Sequence, residues 1–359
     1  MKKTHLMLIE LMLLMPLCLF GQEFAKTGTA GAQFLKIGVG ARGIAMSDAY
    51  GAVCNDVTSI FWNPAGLTKI VNTSMMFSHA EWLADINYEA IAVAKTFNNI
   101  GTFGLSVAYL SSGEIEETTV EMQDGTGRMF DTGDLMVGLS FARQMIDRFS
   151  IGGNLKYIQE RLDTEKAWAW AIDMGTIYWT GFRSLRIGMY IRNFGPELKI
   201  KGTYVDLDDG NPVLNPDTQE PDQKSYLPYH MPMTFSAGIA YDVFENENRK
   251  LTLAMDLVHP NDNVERLNIG GEFTLFKTLS LRGGYVSPFG VFGRYDTEVE
   301  NREQRNEYSL EMMNYIQTFS AGVGLEVTVP SLGRISIDYA YTDFGVLDWV
   351  HRASILINY

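Results

Sequence analysis

Gly38-Val39-Gly40-Ala41-Arg42-Gly43 satisfies the spacing G-x-G-x-x-G, which in a strand–turn–helix unit brings backbone N–H groups onto a pyrophosphate. No βαβ pattern surrounds it, so its glycines read as positions of close backbone packing. His79, His230, His259 and His351 are too dispersed for a metal motif, and no G-x-S-x-G elbow presents a nucleophilic serine. Asp206-Leu207-Asp208-Asp209-Gly210-Asn211 has the carboxylates of a Ca²⁺ loop, but its glycine falls fifth instead of sixth in the EF-hand register. It reads as a solvated acidic loop. Cys54 has no basic neighbour to lower its pKa and reads as a small buried hydrophobe. The chemistry-bearing residues therefore predict no catalytic site, metal or cofactor.

The chain has 359 residues, a formal charge of −14 and 46% apolar content. That composition excludes disorder, and without a Lys/Arg run the acidic balance argues against nucleic acid as a partner. Met1-Lys2-Lys3, the apolar run Leu11 to Phe20 and the small Gly21 predict a signal peptide over 1–21. Removing it takes away Lys2, Lys3 and Glu10, one net positive charge, so −14 becomes −15. Cys18 leaves with it, and Cys54 is then the one thiol of the mature chain, which excludes a disulfide framework. Beyond the signal no 18-residue apolar stretch could form a membrane helix.

From residue 72 onward the pattern has a period of two. Phe103, Leu105, Val107 and Tyr109 share one face, and Thr102, Gly104, Ser106 and Ala108 share the other. Fourteen such runs lie near 72–80, 86–95, 101–110, 134–144, 149–160, 168–178, 185–194, 233–243, 250–258, 265–275, 279–286, 316–327, 333–342 and 351–359. Each is close to the length of a tilted strand crossing a bilayer, and an even number suits a closed bacterial barrel. The long connections 111–133, 195–232 and 287–315 all follow odd-numbered strands, whereas 145–148, 244–249 and 328–332 follow even ones. Long outer loops alternating with short periplasmic turns predict an outer-membrane barrel embedded in lipid, with its C-terminus in the periplasm.

Face chemistry separates this reading from a soluble sandwich, whose polar face would be rich in charge. Here that face is mostly Gly, Ala and Ser, with Asp173, Asp256, Glu272, Glu326 and Asp338 balanced by Arg186, Arg192, Arg266, Arg282 and Arg334. Five against five predicts a lumen neutralised by ion pairs. Tyr109, Trp168, Tyr178, Trp179, Tyr285 and Tyr341 near strand ends suit interfacial girdles, and the last strand ends on Tyr359 like a signal for barrel-assembly machinery.

Residues 22–71 do not alternate. An amphipathic stretch spans Ile44 to Ala52, Asp56 could cap a helical turn over Val57 to Trp62, and Asn63-Pro64 would end that turn. A fourteen-stranded barrel is wider than its own side chains can fill, so this segment is expected inside as a short helical plug against small lumen residues. The predicted organisation is a signal peptide over 1–21, a plug over 22–71 and a 14-stranded antiparallel transmembrane β-barrel over 72–359.

The wording of the plug is more specific than its pattern. Phe34-Leu35, then Gly40, Arg42, Gly43 and Asp48 within Gly40 to Ala49, then Asp56, Ser59, and Trp62-Asn63-Pro64-Ala65-Gly66-Leu67 resemble the N-terminal block of the PorV/PorQ family. His79, Glu81, Trp82 and Asp85, within Ser78 to Ile86, resemble that family's first hairpin, and Asn-Pro-Ala-Gly is shared with FadL-type fatty acid transporters. One departure is Ser47, where a Gly is common. The resemblance implies an outer-membrane component of type IX protein secretion. Its partners would be the translocon, the attachment complex and cargo proteins carried to the cell surface. The alternative is passive, FadL-like transport of hydrophobic molecules. The balanced lumen, the long polar loops and the prolines at 212, 216, 221, 228 and 232 favour protein binding.

Overall fold

The computed structural model describes residues 28–288 and 319–359, apart from 206, 209, 210, 217, 219 and 264. The expected signal peptide and most of the 287–315 connection lie outside the described residues. Among the described residues fourteen antiparallel strands close into one barrel. In chain order they are β1 (Thr73–Glu81), β2 (Asn87–Phe97), β3 (Gly101–Glu116), β4 (Met129–Ile146), β5 (Phe149–Leu162), β6 (Glu165–Trp179), β7 (Arg186–Phe194), β8 (Thr234–Glu245), β9 (Arg249–Pro260), β10 (Arg266–Leu275), β11 (Leu279–Pro288), β12 (Phe319–Val329), β13 (Gly333–Asp343) and β14 (Trp349–Asn358). Closure runs from Ser74 opposite Asn358 to Glu81 opposite His351, so β1 and β14 pair along their length. The closed ladder leaves no strand edge facing lipid, which a spanning sheet requires because hydrocarbon offers no hydrogen bonds.

Every turn after an even strand is short: 98–100, 147–148, 180–185, 246–248, 276–278 and 330–332. These mark the periplasmic end. Alternation puts apolar side chains outside, as a lipid-embedded wall demands: Leu105 is 56% exposed and Leu253 49%, while Ser106 and Ala254 are buried against the interior.

Two expectations are corrected. Both ends of 111–133 are strand, leaving 117–128 as the loop, because β3 and β4 continue pairing past a register shift between Ser111 and Glu114 up to Glu116 and Met129. With β5 and β6 also long and joined by two residues, one side of the outer rim stands higher than the rest. Backbone pairing needs no apolar neighbours, so these ladders outrun the alternation that reveals them. Trp179 is not part of an outer girdle. It is partly buried, faces inward, and has the Lys69 ammonium 3.8 Å from its ring centre, whereas its neighbour Tyr178 points outward.

Candidate functional site

The plug fills the lumen. Gly40, with φ of 86°, makes the sharp turn into α1 (Ala41–Ala45), and the Ala41 N–H donates to Ser354 Oγ at 3.1 Å. The helix is shorter than the expected Ile44–Ala52 stretch. It stops because Ser47 and Asp48 adopt left-handed φ of 51° and 64°, costly for residues with a Cβ. Asp56 caps a 3-10 turn over Val57–Phe61 by accepting from the Thr58 N–H at 2.8 Å. Asn63 ends that turn and begins another, Pro64–Lys69, with proline at the position where a helix needs no N–H donor.

The shared residues are the ones that hold the plug together. Trp62 is 1% exposed, donates its indole N–H to the Val39 carbonyl at 2.8 Å and lies edge-on to Tyr50. Its ring presses on Gly43, where a Cβ would stand 3.0 Å from ring atoms, and Gly66 is held closer still, with Ser59 Oγ at 2.5 Å and the Cys54 carbonyl oxygen at 2.6 Å. Asn63 donates to the Gly51 carbonyl at 2.8 Å and to Thr176 of β6 at 3.1 Å.

The wall meets this core with glycines. A Cβ on Gly188 would come within 2.5 Å of the Gly51 carbonyl oxygen, on Gly270 within 2.4 Å of the Met46 carbonyl oxygen, and on Gly152 within 2.4 Å of the Pro64 backbone. Gly284 and Gly322 are equally close to Met46 and Ala45. The small lumen residues are thus matched to plug backbone, and these five positions hold no free space for a ligand.

Charges complete the lock. Arg42 donates twice to Glu272 at 2.8 Å and also pairs with Asp56 at 3.0 Å and Asn55 at 2.7 Å. Burial alone would lower its pKa, but Glu272, Tyr50 and Asp56 raise it well above the ordinary arginine value, so the guanidinium stays charged. Glu272 continues to Arg282 at 2.7 Å, and Arg282 to Asp338 at 2.6 Å. Arg266 reaches plug residue Asp48 at 3.4 Å, and Arg334 faces Glu326 at 3.6 Å.

All ten sequence-predicted lumen charges face inward, but their pairing differs from a simple wall-to-wall balance. Arg186 pairs with Asp242 at 2.8 Å, and Asp173 with Lys156 at 2.6 Å. Arg192 donates to the Phe61 carbonyl and packs over Trp62, and Asp256 accepts from the Gly51 N–H at 2.8 Å. Asp242 and Lys156 escaped the sequence reading although each continues the inward alternation of its strand. Plug partners could not be read from strands at all.

The first-hairpin residues split up. His79 lies on the outer face, with Nδ1 2.7 Å from Glu89 Oε1, and Glu81 and Asp85 are exposed. Trp82 instead caps the outer mouth, edge-on to Phe344 and beneath the Arg352 guanidinium.

At the outer rim, the described residues of 195–232 fold onto the raised wall. Two short ladders, Thr203–Val205 with Gln223–Ser225 and Leu207–Asp208 with Asn211–Pro212, give the segment its own sheet structure. Isolated bridges join Ile200 to Ala167 and Leu198 to Tyr229. The Gly31 N–H donates to the His230 carbonyl at 2.9 Å, and the Tyr229 hydroxyl donates to Glu160 at 3.0 Å, tying platform, plug and wall together. Asp206, Asp209 and Gly210 of the acidic stretch lie outside the described residues. Among the described residues no group of three or more His, Cys, Asp or Glu side chains gathers as a metal site.

At the opposite end a cavity of about 370 Å³ opens to the periplasm, floored by Arg42, Asp56, Glu272 and Arg282 and rimmed by the turns after β8 and β10.

Three comparisons with known proteins bear on this arrangement. The family model described as type IX secretion system protein PorV matches residues 21–211, more than half of the chain. No curated protein matches its sequence. Among solved structures, the Ralstonia pickettii toluene transporter TbuX superposes with a TM-score of 0.54 at 12% identity, covering 89% of this chain and 97% of that one. A Pseudomonas aeruginosa FadL homologue gives 0.53 at 13% identity, covering 89% and 98%. The Pseudomonas putida toluene transporter TodX gives 0.50 at 11% identity, covering 87% and 96%. At such identities the likeness is one of fold.

Proposed function

This chain belongs to the PorV family of type IX secretion system proteins and is an outer-membrane β-barrel, and from that premise we propose that it binds cargo or partner proteins of the secretion machinery at the cell surface through its outer rim. The observation that carries this reading is the 195–232 platform, which is folded and pinned to both wall and plug. Segments that serve only to connect strands need no such structure, and long ordered loops on a rigid scaffold are where recognition concentrates. The rim is also acidic: six acids stand against one base over 111–133, and seven against three over 195–232. A rigid, charged surface of this kind steers and orients a protein partner.

A second reading is passive transport of hydrophobic molecules, favoured by one feature, the register shift of β6 on β7 between Ile172 and Met174. The gap is occupied by Lys156, Asp173 and Asn193, with the Asn193 N–H donating to Asp173 at 2.7 Å and Lys156 to Asn193 Oδ1 at 2.7 Å. A buried polar cluster is a poor path for an apolar solute, which supports the first reading.

Shortening 195–232 while keeping β7 and β8 intact tests both. The barrel should still reach the outer membrane and stay heat-modifiable on gels, while cargo release or surface attachment falls. Normal cargo attachment with lost uptake of a labelled fatty acid would install the transport reading instead.

A further inference from the structure

The periplasmic cavity has a charge pattern that the secretion reading does not use. Each side-chain carboxylate lining it already has a cation: Asp56 and Glu272 have Arg42, Asp338 has Arg282, Glu326 has Arg334, and Glu245 has Lys250 at 3.3 Å. Three lining cations remain. Lys69, Arg249 and Lys277 have no carboxylate within 4 Å among the described residues.

These cations come from separate elements. Lys69 stands at the plug exit on the Trp179 ring, Arg249 begins β9, and Lys277 lies in the turn after β10. The last two are neighbours, since Arg249 pairs with Leu275 and the Phe276 N–H donates to Asn248 at 2.7 Å. Burial, with repulsion from Arg186, also lowers the Lys69 pKa, so an arriving anion would relieve a strained ammonium. In a chain of net charge −14 whose outer rim is acidic, this inner mouth carries more cations than carboxylates among its lining side chains.

We propose that the periplasmic vestibule binds a carboxylate-rich segment of a periplasmic protein. A single phosphate would call for donors converging on one point. Here two free cations lie together on the rim and the third stands apart at the plug exit, over a floor that is already neutralised, an arrangement suited to an extended chain with several carboxylates. The volume falls in the range of ligand sites and accommodates a few residues.

The test uses the full-length barrel in detergent and a fluorescent hexaglutamate peptide, read by anisotropy at low and at physiological salt. Binding should weaken as salt rises, and the double variant Arg249→Gln with Lys277→Gln should lose roughly tenfold in affinity. Both residues lie at exposed turns, and unchanged heat-modifiability will show that the barrel is intact. The pair Lys199→Gln and Lys201→Gln at the outer rim should leave binding unchanged. The proposal is overturned if hexaglutamate does not bind, if the outer-rim pair weakens it as much, or if inorganic phosphate displaces it at equal charge concentration, which would reduce the vestibule to a simple anion site. Cargo attachment is not the readout, so failure here leaves the outer-rim reading standing.

Discussion

Arg42 of the plug and Glu272 of β10 meet in a two-pronged ion pair, Nε to Oε2 and Nη2 to Oε1, both at 2.8 Å, partly buried inside the barrel. It joins two chain segments that no local periodicity connects. Such bidentate contacts fix orientation as well as distance, so this pair sets how the plug is seated.

Replacing Arg42 with Gln should therefore leave Glu272 under-compensated and loosen the plug. Breaking a buried pair by removing one partner costs about 3–5 kcal/mol. The expected outcome is an increase in single-channel conductance in planar bilayers and faster proteolysis within 28–71. Adding Glu272→Gln should recover part of the loss, because the stranded carboxylate is then gone. Wild-type conductance in Arg42→Gln would show that the plug is held without this pair.

Lumen and lipid faces should respond oppositely at glycines. At Gly284 or Gly270 a new Cβ meets plug backbone at 2.5 Å or less, whereas at Gly283 the nearest atom is 3.9 Å away. Gly284→Ala should disturb the plug and raise conductance, and Gly283→Ala should be neutral in the same measurement. Larger residues at Gly284 or Gly322 test plug seating, because the plug already occupies that space.

On the outer surface, arginine at Leu105 or Leu253 should lower unfolding stability by about 2–4 kcal/mol if the position lies at the bilayer midplane. Urea titration of the barrel folded into lipid vesicles measures it. Equal tolerance at Leu105 and at the inward Ser106 would contradict a lipid-facing wall.

Cys54 should be silent. It is buried against the Gly51 and Asn63 carbonyls, and burial pushes its thiol pKa up to about 12. At pH 8 only about one part in ten thousand is thiolate, so a maleimide should label it only after unfolding. The sign follows: with the folded pKa raised, this thiol supports the native plug fully below its unfolded value near pH 8.5, and the support is lost as pH rises toward 12. Labelling of the native protein at pH 8 would refute the burial.

That silence permits a topology measurement without removing Cys54. Single cysteines placed in 117–128 or 195–232 should react with an impermeant maleimide on intact cells, and ones in 147–148 or 246–248 should not. Labelling of the even-strand turns would invert the barrel.

Much of this protein is written in its sequence because a membrane wall has two solvents. Lipid outside and a plug inside force apolar and small residues to alternate, and the alternation located all fourteen strands and the inward direction of all ten lumen charges. Asp56 is likewise legible as a cap and Asn63-Pro64 as the end of its turn, since both are properties of neighbouring residues, whereas the second turn that Asn63 caps escaped the sequence reading. Tertiary structure alone decided what lies against what. Arg266 finds plug residue Asp48 instead of a wall carboxylate, and Gly152 and Gly188 take their meaning from Pro64 and Gly51, far away in the chain. Even the Ser47 departure makes sense only in three dimensions: its φ of 51° shows why glycine suits that position. Local patterns record which solvent each face meets, but the pairing of a plug with a closed barrel depends on ring closure, which brings residues hundreds of positions apart to one point.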